Sequence, residues 1–148
     1  MASNTLSSNA LSSNNRRANA TLVAWIFAGA FALTTVIGFV PNPLVGADAL
    51  FVTNTAHNLV HLLTAVGFGL VAVMGDRASV IFMKVFGVVY CLVGVLGFVV
   101  LGSAAEGHLL GLVHINRMDN FLHVGLGLLI LAAGFLSTVR GSMARATV

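Results

Sequence analysis

Five histidines carry most of the chemistry this chain can offer, and two of them sit in a repeated pattern. Asn54-x-x-His57-Asn58-x-x-His61 is matched by Asn116-x-x-Asp119-Asn120-x-x-His123. On a helix, residues four apart share a face, so His61 projects one turn deeper than His57 on the same side. A neutral imidazole ligates a metal or accepts a hydrogen bond. If the two motif-bearing faces meet, His57, His61, Asp119 and His123 form a cluster of three imidazoles and one carboxylate. That donor set suits zinc, copper or iron. His61 and His123 as a pair would alternatively hold haem, and either one singly the magnesium of chlorophyll.

The same residues also have purely structural uses. Asn54 and Asn116 are placed to cap a helix by accepting from a first-turn backbone N–H. Asp119 completes a capping-box pattern and opposes the positive helix terminus, a terminus that disfavours an imidazolium at His57. Asn58, Asn120 and the histidines would then hydrogen-bond between helices and fix their packing. His108 and His114 fall in a connecting segment, where solvation accounts for them.

The elements that position these groups are apolar spans. The chain has 148 residues, 58% of them hydrophobic and only 7% charged, too little polar surface to clothe a water-soluble domain. Thr21 to Val40, Leu59 to Gly75 and Phe121 to Val139 contain no charged side chain, and Val80 to Gly102 contains only Lys84. Crossing a hydrocarbon core of about 30 Å takes roughly 20 helical residues. A helix satisfies its own backbone donors in lipid, and the absence of period-two alternation argues against a membrane β-barrel. The predicted fold is therefore an all-α membrane protein of four transmembrane helices. The first run is long for a signal peptide and lacks a small-x-small cleavage site before Pro41 and Pro43, so it is expected to stay as helix one.

Two further matches indicate that the four helices are two parallel-repeat helical hairpins, about 20–75 and 80–138. Val36-Ile37-Gly38-Phe39-Val40 corresponds to Val95-Leu96-Gly97-Phe98-Val99, ahead of the paired histidine motifs. Repeats of the same direction are related by an axis along the membrane normal. A short turn, Asp76-Arg77-Ala78-Ser79, makes helices two and three antiparallel neighbours. The connections at the other end, about 41–53 and 103–115, are longer, and sequence leaves open whether they lie along the membrane or cap the bundle. Gly87, Gly94 and Gly97 on helix three, with Gly125, Gly127, Ala132 and Gly134 on helix four, suit close helix approach. Cys91, the lone cysteine, lies mid-span and reads as a small buried residue.

Charge placement suggests an orientation. Arg16, Arg17, Arg77, Lys84, Arg140 and Arg145 fall on one side of the predicted spans, with Arg117 alone opposite. The excess of Lys and Arg in cytoplasmic loops places both termini in the cytoplasm and every histidine outside. Residues 1–19, rich in Ser and Asn, are expected to form a disordered cytoplasmic tail, with the transmembrane domain over 20–140 and a second tail over 141–148. The basic residues are too scattered for a nucleic-acid surface.

The segments HNLVHLLTAVGFGLVAV, VFGVVYCLVGVLGFVV and LLGLVHINRMDNFLHVGLGLLILAAGFL resemble the small four-helix bacterial membrane proteins grouped as domain of unknown function 4383, over roughly residues 22 to 138. The resemblance implies the same fold and topology but no activity. No Ser-His-Asp order, phosphate loop or paired intramembrane carboxylate points to an enzyme, and the spans lack the midplane acids and prolines of a transporter. The expectation is a non-enzymatic accessory or assembly subunit of a larger membrane complex, by loose analogy respiratory or photosynthetic, with lipid and other membrane-protein subunits as partners. A bacterial cytoplasmic or thylakoid-type membrane is the expected location. The alternative is a metal, haem or chlorophyll-binding membrane protein.

Overall fold

The computed structural model describes residues 19–137; the two expected tails, Asn19 apart, lie outside the described residues. Four helices dominate: α1 Ala20–Gly38, α2 Thr55–Met74, α3 Asp76–Leu101 and α4 Arg117–Leu136. Each is long and apolar enough to cross a membrane. Within these spans only 28% to 39% of residues are buried inside the protein, so most of each helix presents apolar surface suited to lipid contact.

Helix ends follow local chemistry. Asn19 caps α1 by accepting from Thr21 N–H at 2.9 Å, and the same N–H, with the Thr21 hydroxyl, also donates to Asp76 at the head of α3. The chain reverses between α2 and α3 more tightly than sequence suggests. Gly75 alone makes the turn, in a left-handed conformation with φ 98°, and α3 already starts at Asp76. Ser79, expected in the turn, is instead a buried helical residue whose hydroxyl donates to the carbonyls of Val71 and Gly75.

The helices pack as α1 on α2 and α3 on α4, with sparser contact across the pairs. The second pair is the closer one. A Cβ at Gly87, Gly94 or Gly127 would stand under 3 Å from backbone of the facing helix. Gly125 instead faces open space. Beneath the two longer connections the bundle is filled by rings: Phe27, Phe31, Phe68, Phe82, Phe86 and Tyr90 stack, tilt or meet edge-on with centroids 4.9 to 6.1 Å apart. Lys84 holds its ammonium 4.3 Å over the ring of Phe135, near the end of α4.

Both longer connections contain short strands. β1 Val45–Gly46 pairs in parallel with β2 Phe51–Val52, and β3 Glu106–Leu109 pairs antiparallel with β4 Val113–Asn116. Sequence left their placement open; the structure sets both across the N-terminal ends of α2 and α4. Asn54 donates its side-chain amide to Leu112 O, and Asn116 donates to Leu50 O. Strands this short draw their order from the helix ends on which they rest.

Candidate metal centre

The motif residues begin the two helices, and most of them make the bonds their spacing predicts; Asn120 Nδ2 and His61 Nδ1 do not. Asn54 accepts from His57 N–H and Asn116 from Asp119 N–H, both at 2.9 Å, so both are N-caps. Asp119 returns a bond to Asn116 N–H, completing the capping box, and its Oδ2 also accepts Val52 N–H from the first connection. Asn58 donates to Gly38 O at 2.8 Å, where a Cβ on Gly38 would overlap its side chain. Asn120 likewise lies where a Cβ on Gly97 would overlap it, but its Nδ2 has no hydrogen-bond partner. The glycines aligned in sequence thus receive the asparagines aligned in sequence.

Three histidines converge above the ring-filled core. His57, His61 and His123 are buried, and each offers a nitrogen within 4.8 Å of the other two. Ring centroids lie 4.6 Å apart for His57 and His61, and 5.7 Å for His57 and His123. Asp119, expected as a fourth ligand, stands beside this trio with Oδ2 committed to two backbone donors. Among the described residues these three histidines are the one group of this kind.

Hydrogen bonds decide which nitrogens face inward. His57 Nδ1 is 2.8 Å from His114 O, and His123 Nδ1 bonds Asp119 O one turn back. A carbonyl only accepts, so both Nδ1 atoms donate, which leaves the lone pair of each neutral ring on Nε2. This is the arrangement by which outer partners orient metal-ligating imidazoles. His57 Nε2 and His61 Nδ1 are buried with no hydrogen-bond partner. Such orphans are few in folded proteins, and a bound ion or water commonly explains them.

The geometry suits an ion better than a macrocycle. Zn–N distances of 2.0–2.1 Å in a tetrahedral shell put ligand nitrogens about 3.4 Å apart, closer than the 4.8 Å within which the trio's nitrogens lie. His61 and His123 also border a cavity of about 240 Å³ beside Tyr90 and Phe31. That is below the roughly 300–1,000 Å³ of sites for drug-sized ligands, and a tetrapyrrole is larger than these.

His108 and His114 stay apart from the trio. They pair across β3 and β4 with rings 4.6 Å apart and almost parallel, and His114 Nε2 lies 3.8 Å from Glu106. Sequence reasoning did not place Tyr90, Thr53 or the His114 carbonyl at the site. Tyr90 has its ring centroid 4.6 Å from that of His123, and Thr53 is a buried cavity residue whose hydroxyl has no partner.

The family described as domain of unknown function (DUF4383) matches residues 45–136, which include α2, α3, α4, the second connection and the first from Val45 onward. The chain belongs to this family. The DUF4383 match contains His57, His61 and His123 and the capping Asn54 and Asn116, while α1 and its cap Asn19 lie ahead of it. No curated protein and no solved structure matches the chain.

Proposed function

We propose that this DUF4383 chain is a non-enzymatic integral membrane protein that binds a transition-metal ion through His57, His61 and His123. The observation that carries the reading is the convergence of three buried imidazoles, two with orphaned nitrogens and two oriented by carbonyls behind them. An all-imidazole set suits zinc or copper. Cys91 is not a competing ligand: its thiol faces Val124 O at 3.6 Å. The aromatic packing below the trio favours holding the ion over passing it across the membrane. Haem or chlorophyll is less well supported, because the His57 ring lies close to both His61 and His123, where a macrocycle between them would need room.

The apolar perimeter that suggests an accessory subunit is equally explained by lipid, so the histidines favour metal binding as the primary role. The reciprocal Asn54 and Asn116 bonds support two tandem hairpins about an axis along the membrane normal. The bias of basic residues supports placing the metal site on the non-cytoplasmic side.

Metal analysis of protein purified in mild detergent without a polyhistidine tag tests the proposal. One zinc or copper per chain, lost in His61→Ala and His123→Ala variants that keep their helical circular dichroism, is the expected result. Wild-type protein that stays metal-free after incubation with either ion and removal of excess would overturn it.

A further inference from the structure

We infer that the cleft between α1 and α4 is a laterally open site for a membrane-dissolved phenol, an aromatic ring bearing one hydroxyl, whose oxygen meets the histidine trio. The inference rests on the metal reading for the Lewis acid and on the cavity for everything else.

Helices α1 and α4 touch only sparsely, and the cavity of about 240 Å³ lies in their seam beneath the first connection. Its rim is apolar and exposed: Leu44 and Leu122 retain 57% and 45% of their accessible surface. Its inner end is different. Thr53, Tyr90, His61, His123 and the carboxylate-bearing Asp119 line it and are all buried. Thr53 is 3% exposed and His61 7%, yet Thr53 Oγ1 and His61 Nδ1 have no hydrogen-bond partner. An apolar mouth over polar side chains at its inner end, with the unpartnered Thr53 Oγ1 and His61 Nδ1 sealed behind that wall, matches a molecule with an apolar body and one polar head.

Size and wall chemistry narrow the class. A dry cavity of about 150 Å³ suffices for benzene, so this one has room for a substituted ring. Phe31 and Tyr90 supply aromatic faces against which such a ring packs. Three imidazoles leave a tetrahedral ion one open position, which takes an oxygen lone pair. A hydroxyl on an aromatic ring meets all of these demands, whereas an acyl chain leaves the polar end unsatisfied.

Photolabelling tests this in vesicle-embedded, zinc-incubated protein with an alkylphenol bearing a diazirine. Labelling should concentrate on peptides containing Leu44, Leu122 and Leu126. Unlabelled 4-butylphenol should compete about tenfold or more better than butylbenzene, which lacks the hydroxyl. Leu126→Trp, which fills the cavity, and Leu44→Trp on its exposed rim should both reduce labelling severalfold. Labelling spread evenly over lipid-facing positions such as Leu63 and Val73, or equal competition by butylbenzene, would overturn the inference. Protein that labels in the cleft but holds no zinc would defeat the metal reading while leaving the phenol site standing. Protein that holds zinc but labels evenly would do the reverse.

Discussion

Asn54 and Asn116 make the same bond in opposite directions, each donating its side-chain amide across to the other connection, to Leu112 O at 2.8 Å and to Leu50 O at 2.9 Å. Each is also the N-cap of the helix it begins. A second exchange runs beside the first: His57 donates to His114 O, while Asp119 accepts from Val52 N–H. Where the first motif carries an imidazole it meets a carbonyl, and where the second carries a carboxylate it meets an N–H. The His/Asp difference between the motifs is thereby matched by donor and acceptor.

Asn116→Ala should therefore lower stability by about 1–3 kcal/mol, combining a lost N-cap with a lost hydrogen bond to Leu50. Reversible unfolding in mixed detergent reads the change. A loss below about 0.5 kcal/mol would mean that the crossed bonds do not hold the connections down.

Two glycines on facing helices should behave oppositely. Gly94→Ala places a Cβ 2.8 Å from Asn120 O, an overlap with backbone that should cost about 1–3 kcal/mol. Gly125→Ala meets nothing within 4 Å and should be neutral or stabilising by up to about 1 kcal/mol through helix propensity. The same unfolding assay compares them, and equal effects would contradict the close α3–α4 contact.

The four spans are legible in sequence because long charge-free runs have few other fates, and the meeting of His57, His61 and His123 is legible because paired motifs imply facing helices. Other features depend on contacts between segments far apart in the chain. Asp119 looks like a ligand by type and spacing, but the Val52 N–H that helps occupy Oδ2 comes from the first connection, 67 residues away. The strands are too short to show a period, and Thr53 and Tyr90 carry no pattern that places them at the trio. The outward-directed Gly125 lies two residues from the packed Gly127, a distinction that requires the facing helix.

Zinc should stabilise the protein through the trio. At free zinc about a hundredfold above the dissociation constant, linkage predicts roughly 2.7 kcal/mol, seen as a raised thermal midpoint. The His57→Ala/His61→Ala/His123→Ala variant should show no such rise, and an equal rise would place the zinc elsewhere.

Orientation is open to labelling in intact cells. Cysteines introduced at Ala47 and Leu110, in a Cys91→Ser background, should both react with an impermeant maleimide, while Arg77→Cys should react only after lysis. Reaction of Ala47→Cys and Leu110→Cys from opposite sides would contradict the arrangement of the two connections over one end of the bundle.

The most direct test of the central claim is X-ray absorption at the zinc edge on untagged, zinc-loaded protein. The account predicts three imidazole ligands with Zn–N of about 2.0–2.1 Å, and imidazole scattering that weakens in His61→Ala. A shell with fewer than two imidazoles, or one unchanged by that substitution, would contradict it.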